Sequence, residues 1–296
     1  RLGSVGARPC SLLVSTGGQH TPFGASRGGD LGVRACAVRG LLLASAPRRR
    51  GPVVIRLVGW GDAFGSGGRF QSCIAVRSPD DFFLIDCGAS SLVALRQQGI
   101  EPREVSKVFL THLHGDHFGG LPFLLLDGQY ASKRTEPITI VGPPGLEERL
   151  TQAREVLFPG SSKVTPNFDI RLVEIKPRAP ITVDDVVVTA FPAAHFSGAP
   201  SYSLRVETAG KTFVYSGDTQ WTDTLLEASA DADLFACECY VFDKDVPLHN
   251  SYARIMENRS RMTCKRLIVT HMNEDMLSRV GEIELEAAED GKTVIL

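Results

Sequence analysis

The stretch Thr-His-Leu-His-Gly-Asp-His-Phe-Gly-Gly at residues 111–120 comes directly after the apolar run Lys-Val-Phe-Leu at 107–110. Ionisable side chains crowded beside a segment bound for the core are costly to bury without partners, and metal coordination supplies such partners. A strand that ends in a tight loop can aim His112 and His114 to one side while Asp116 and His117 turn to another. The two pairs can then serve two adjacent ions. Imidazole with carboxylate is the ligand set of Zn, Mn or Fe, whereas all-oxygen sites suit Mg or Ca.

Three more candidates stand in the same position relative to apolar runs: His195 after VVVTAFPAA, Asp218 after TFVYSG, and His271 after LIVT. Ligands that each come after a strand can converge at one rim of a sheet sandwich. The chain has 7 histidines, and five of them (112, 114, 117, 195 and 271) fall in this pattern. Any one alone reads as an ordinary core or loop histidine; a random scatter does not place five this way.

Residues 1–50 differ from the rest of the chain. They are rich in Gly, Arg, Ser and Ala, contain one acidic residue (Asp30) and end in Arg48-Arg49-Arg50. They read as a disordered, targeting or artefactual extension, and residues 51–296 as the folded domain. From Val53 onward short β-rich runs are bounded by Gly, Pro, Asp and Asn. Helix candidates lie between them at SSLVALRQQG, GLEERLTQAREVLF, TLLEASA and SYARIMEN. Without regular βαβ alternation, this order predicts an α+β sheet sandwich flanked by helices.

A formal net charge of -2 provides no global basic field of the kind that drives sequence-independent nucleic-acid binding. The 7 cysteines resemble reduced thiols more than a disulfide framework, which points to a cytoplasmic home. Cys237 and Cys239 lie in the apolar run LFACECYVF and read as a buried strand, outside the site. No stretch approaches the roughly 18 apolar residues of a membrane span.

The order H-x-H-x-D-H, a later His, an Asp in Ser-Gly-Asp-Thr and a His after an apolar strand resembles the metallo-β-lactamase superfamily. Its ribonuclease Z-like branch, which also contains cyclic-nucleotide and other phosphodiesterases, is the most similar. The resemblance covers roughly Val53 to Leu296 and implies an αββα sandwich, two packed mixed sheets flanked by helices. It implies two divalent metal ions, zinc foremost with Mn or Fe as alternatives. His112, His114 and His195 would hold one, Asp116, His117 and His271 the other, with Asp218 bridging both. A bridging hydroxide then serves as nucleophile. Family members often pair, so a homodimer is an expectation of the same resemblance.

Other residues fit the same branch. His249, in V-P-L-H-N-S-Y, matches a histidine that would donate a proton to the leaving oxygen, with Glu238 orienting it; Asp116 joins them as a candidate catalytic group. Asp86, ending F-L-I-D, can orient a ligand histidine or simply close a turn. The Gly-rich turn at 59–70 supports the fold only, and Ser201 or Tyr202 is a weak candidate for a phosphate contact. Transfer-RNA-processing members carry a long arm between the positions matched by His195 and Asp218, where this chain has only residues 196–217. The resulting expectation is a dinuclear metal phosphodiesterase acting on a small or promiscuous phosphate ester. A nucleic-acid substrate is left open but not favoured. A lactone or ester hydrolase is the alternative, β-lactamase activity ranks lower, and a metal-binding scaffold without turnover is the third reading.

Overall fold

The computed structural model describes residues 51–296, and the expectations for residues 1–50 lie outside the described residues. The first half of the described chain supplies strands β1 (Val54–Gly59), β2 (Cys73–Arg77), β3 (Phe82–Ile85), β4 (Lys107–Phe109), β5 (Ile138–Gly142) and β6 (Ile170–Glu174). The second supplies β7 (Ile181–Val183), β8 (Val186–Pro192), β9 (Tyr202–Thr208), β10 (Lys211–Tyr215), β11 (Leu234–Glu238), β12 (Leu267–Thr270), β13 (Glu286–Ala287) and β14 (Thr293–Ile295). They form two sheets of seven strands each, in the orders β14-β1-β2-β3-β4-β5-β6 and β13-β12-β11-β10-β9-β8-β7. Both are mixed: β3 to β6 and β10 to β13 are parallel, and the other pairings are antiparallel.

The strands between helices and the facing sheet read as unbroken apolar runs because both of their faces are buried. Along β3 the side chains alternate: Phe83 and Ile85 enter the core between the sheets, while Phe82 and Leu84 face the helical layer. The first sheet is covered by α1 (Ser91–Gln97), α3 (Leu121–Tyr130) and α4 (Leu146–Leu157), with the single turn α2 (Gly115–Phe118) between them in sequence. The second sheet is covered by α5 (Thr224–Ser229), α6 (Tyr252–Asn258) and α7 (Glu274–Ser278). This is the expected αββα sandwich. Among the described residues no helix is long and apolar enough to cross a membrane, and all five described cysteines are buried and free.

All four expected helices form, but α3 was not among them. Its sequence Leu-Pro-Phe-Leu-Leu-Leu opens with six apolar residues in a row, which leaves no polar face and therefore no helical period to read. The edge strands β6, β7, β13 and β14 were likewise unread: they are short or only partly buried, so they lack the continuous apolar signature of the central strands.

Phe83 and Phe109 meet edge to face in the inter-sheet core, with ring centroids 5.4 Å apart. Replacing Phe109 with Ala should cost about 3–5 kcal/mol through lost burial and the resulting cavity. Val156→Ala, at a side chain 80% exposed, should stay within about 0.5 kcal/mol. Urea denaturation of the two variants against the parent measures both.

Candidate metal centre

The residues singled out in the sequence leave the same ends of their strands. β8, β10 and β12 run in one direction in the second sheet and deliver His195, Asp218 and His271. β3 and β4, parallel neighbours in the first sheet, deliver Asp86 and the 111–117 loop. Three of the turns that end these strands use left-handed backbone: Asp86 at φ 58°, Gly217 at φ 58° and His271 at φ 56°. For Asp86 and His271 that conformation costs about 1–3 kcal/mol each, a level of strain typical of functional sites.

Close main-chain approach seats the metal loop against the end of β3. Cys87 N–H donates to the His117 carbonyl at 2.7 Å and Gly120 N–H to the Cys87 carbonyl at 2.8 Å. A Cβ on Gly88 would lie 2.2 Å from the Asp116 carbonyl, and one on Gly120 would lie 2.3 Å from the Gly88 carbonyl. Only glycine fits at either position. Asp86 completes the clamp: one oxygen accepts from Thr111 N–H at 2.8 Å, and the other from the Thr111 hydroxyl at 2.8 Å and from His117 Nδ1 at 2.6 Å. That last contact fixes the His117 tautomer and turns Nε2 toward the centre.

Two groups of donors result. His112, His114, His195 and Asp218 form one, Asp116, His117, His271 and Asp218 the other, with the ligand atoms of each group all within 4.8 Å of one another. Asp218 belongs to both. Its Oδ1 lies 3.2 Å from His117 Nε2, and its Oδ2 lies 3.3 Å from His271 Nε2 and 3.8 Å from both His112 Nε2 and His195 Nε2. His112 Nε2, His117 Nε2 and Asp218 Oδ1 are buried yet have no hydrogen-bond partner among the described residues. Each such atom costs about 1–3 kcal/mol, and a cation shared among them removes that cost. The donors therefore fit a pair of ions bound by imidazole and carboxylate. The electrostatics agree: burial alone would lower His117, but Asp218 and Asp116 outweigh it and hold its ring well above the usual histidine range. Burial lowers His112 well below that range, which keeps it neutral and ligand-ready.

Beside this cluster stands a second polar unit. His249 Nδ1 lies 3.1 Å from Glu238 Oε2, and the other Glu238 oxygen accepts from Thr219 N–H. Burial pushes Glu238 up to about 7. Burial lowers His249, but its hydrogen bond to Glu238 outweighs this and raises it. Burial of Glu238 and its hydrogen bond to His249 thus both favour a proton held by the pair. The His249 ring stacks on Tyr240, at 4.5 Å, and lies near-parallel to His271, at 5.8 Å. Tyr240 was missed from sequence, although strand parity contains it: Glu238 and Tyr240 share a face, while Cys237 and Cys239 point into the helical-layer core. Also missed was the Leu248 carbonyl, which lies 2.9 Å from His195 Nδ1; no side-chain motif marks such a contact. The Gly-rich turn borders the site, as Trp60 C=O accepts from His271 N–H at 3.1 Å. Tyr202 packs in the inter-sheet core and the Ser201 hydroxyl donates to Ser197 Oγ, so neither is drawn to the cluster.

Two mixed sheets between helical layers, with this cluster at one rim, define a metallo-β-lactamase-superfamily protein of the ribonuclease Z-like kind. The likeness extends to solved structures. The metallo-β-lactamase fold protein YhfI from Bacillus subtilis superposes with TM-score 0.67 and 20% identity, covering 83% of this chain and 100% of its own. The short form of human tRNase Z superposes with TM-score 0.66 and 25% identity over 81% of this chain and 98% of its own. A ribonuclease Z from Methanothermobacter thermautotrophicus is 34% identical over 141 residues, 48% of this chain and 44% of that protein, so the match spans less than half the length of that relative. Residues 53–290 match the family described as anti-Pycsar protein Apyc1, and the chain belongs to that family.

If Asp218 serves both groups, Asp218→Ala should reduce bound metal at both positions, whereas His195→Ala should empty one. Elemental analysis of dialysed protein checks this, and loss of a single ion in Asp218→Ala would contradict the shared role.

Proposed function

We propose that the protein is a metal-dependent phosphodiesterase acting on a small phosphodiester. The observation that carries this is the His249–Glu238 pair at the edge of the metal cluster. His112, His114 and His195 would hold one divalent ion and Asp116, His117 and His271 the other, with Asp218 between them; zinc suits these imidazole-rich donors best. When bound, such ions supply Lewis acidity to the phosphoryl oxygens and acidify water into a nucleophile.

The chain's own residues do the rest. Asp86 holds His117 in the tautomer that presents Nε2, and the Leu248 carbonyl orients His195. Asp116, held below the usual carboxylate range because His117 outweighs its burial, stays ionised at the reacting centre. His249 delivers its shared proton to the leaving oxygen, and Glu238 keeps the ring oriented and charged. An alkoxide leaves phosphorus poorly without such a donor, whereas attack on a lactone or ester carbonyl has less need of one. The short 196–217 interval and the net charge of -2 favour a small diester over a structured RNA, although relatives named ribonuclease Z keep RNA within the same bond chemistry.

Steady-state rates on bis(p-nitrophenyl) phosphate, an aryl lactone, a β-lactam and a transfer-RNA precursor, before and after chelation, test the reading. Chelator-sensitive turnover chiefly of the phosphodiester is expected. Preference for the lactone would move the reaction to carbonyl hydrolysis, and preference for the precursor would make RNA the substrate.

His249→Ala should keep its metal and slow a diester with a poor leaving group by about 100-fold or more, and an activated aryl diester far less. Because Glu238 raises His249, the protonated donor persists above the ordinary histidine value of about 6.5. The rate on the poor-leaving-group diester should therefore fall as pH rises, with its midpoint above the ordinary histidine value. Glu238→Gln should shift that fall to lower pH; an unmoved profile would remove Glu238 from the role.

A further inference from the structure

A histidine that gives up a proton must present one nitrogen along one direction, and a single hydrogen bond does not fix that direction. The contact between His249 Nδ1 and Glu238 Oε2, at 3.1 Å, holds one edge of the ring and leaves the plane free to swing about it. A flat neighbour removes that freedom. The Tyr240 ring lies 4.5 Å from the His249 ring at an interplanar angle of 29°, a spacing at which aromatic faces pack in an offset stack. The other aromatic neighbours are less suited to the task. His195, at 5.2 Å, meets the ring at 64°, and His271, inclined by only 13°, stands 5.8 Å away; both belong to the metal-donor groups.

Tyr240 is itself held by main chain. After β11 the chain runs beside the segment that enters α6: Tyr240 N–H donates to the Asn250 carbonyl, Tyr252 N–H to the Val241 carbonyl and Ala253 N–H to the Phe242 carbonyl, each at 2.9 Å. This pairing sets Tyr240 against the residue that comes after His249, so the two rings share one register. From the other side Asn273 N–H donates to the Tyr240 carbonyl at 3.0 Å. Asn273 is fixed in turn as the N-cap of α7, where its side chain accepts from Met276 N–H at 3.1 Å. On the His249 side, Leu248 adopts left-handed backbone at φ 70°, a conformation unfavourable for a residue with a Cβ. Turned this way, the chain sends the Leu248 carbonyl to His195 Nδ1, at 2.9 Å, and the next side chain onto Tyr240.

With Nδ1 engaged by Glu238, Nε2 is the nitrogen left to donate. In phosphodiester hydrolysis the water oxygen bonds to phosphorus as the bond to the leaving alcohol breaks. The alcohol oxygen keeps that electron pair and takes the proton from His249 Nε2, and the water's surplus proton passes to solvent. A hydrogen bond weakens steeply as the N–H strays from the line to its acceptor, so a ring free to swing donates poorly. Resting on the phosphodiesterase function proposed for the site, we propose that Tyr240 is a positioning residue: Glu238 holds the edge of the His249 ring and the Tyr240 face holds its plane, which aims Nε2 at the leaving oxygen. The flat ring does this, not the hydroxyl.

The test uses the zinc-loaded full chain with Tyr240→Phe, which keeps a flat ring, and with Tyr240→Leu and Tyr240→Gln, which do not. Two substrates differ only in the leaving alcohol: methyl p-nitrophenyl phosphate, whose alcohol departs unaided, and methyl trifluoroethyl phosphate, whose alcohol needs a donor. In Tyr240→Leu and Tyr240→Gln the ratio of kcat values, aryl over trifluoroethyl, should rise by about tenfold or more, a share of the roughly 10²–10⁴-fold that proton donation contributes. In Tyr240→Phe the ratio should stay close to that of the parent, and elemental analysis should find the parent's metal content in every variant. Proton NMR of protein carrying nitrogen-15 histidine gives a readout separate from turnover. The Nδ1–H signal that His249→Ala removes should persist in the parent and in Tyr240→Phe, and be broadened away by exchange in the two variants without a ring. An unchanged ratio, a retained signal in both of those variants, or loss of metal from both would overturn the positioning role alone. Hydrolysis of neither diester by the parent would overturn the phosphodiesterase reading, and with it any donor for Tyr240 to position.

Discussion

Everything at the rim of this sandwich hangs on one buried carboxylate. Asp86 is shielded from solvent and held in left-handed backbone at the end of β3. Burial pushes its carboxyl up, and the His117 ring and the two Thr111 donors oppose that shift. An uncompensated charge there would be prohibitive; three donors make it tenable. In return it locks the loop after β4 to the end of β3 and selects which His117 nitrogen faces the centre. The glycine contacts at Gly88 and Gly120 then bring the two main chains within hydrogen-bonding range.

The sandwich matters to the chemistry because of direction. β3 and β4 in one sheet and β8, β10 and β12 in the other point their ends at a common rim, so side chains separated by more than 150 residues in sequence, from His112 to His271, meet within a few ångströms. Inter-sheet packing holds the two halves of the donor set in register. The Trp60–Tyr215 contact, at 5.8 Å between centroids, lies immediately beneath the rim and joins the sheets where the donors converge.

Two units of different character share that rim. In the cluster of imidazoles and carboxylates, burial holds His112, His114, His195 and His271 below the usual histidine range. His117 outweighs burial to hold Asp116 and Asp218 below the usual carboxylate range; the result is a set of neutral imidazoles and ionised carboxylates. The His249–Glu238 pair is set to store a proton instead, because Glu238 is buried and its partner is only partly so. A centre that gathers cations beside a group that holds a proton suits displacement of an oxygen leaving group.

The His and Asp ligand candidates and the central strands were legible because each is a local pattern: a donor type immediately after an apolar run. Glu238 and His249 were legible only through their likeness to a family, since 11 residues separate them and nothing local says that they touch. α3 escaped because a run of apolar residues has no period, and Tyr240 because an aromatic in an apolar strand looks like any core residue. The donor types, and the strands that carry them, were written in the chain because burial costs and backbone preferences act over a few residues. Which donors stand together and which nitrogen faces inward depended on strands from two sheets meeting at one edge, and only long-range packing fixes distances of that kind.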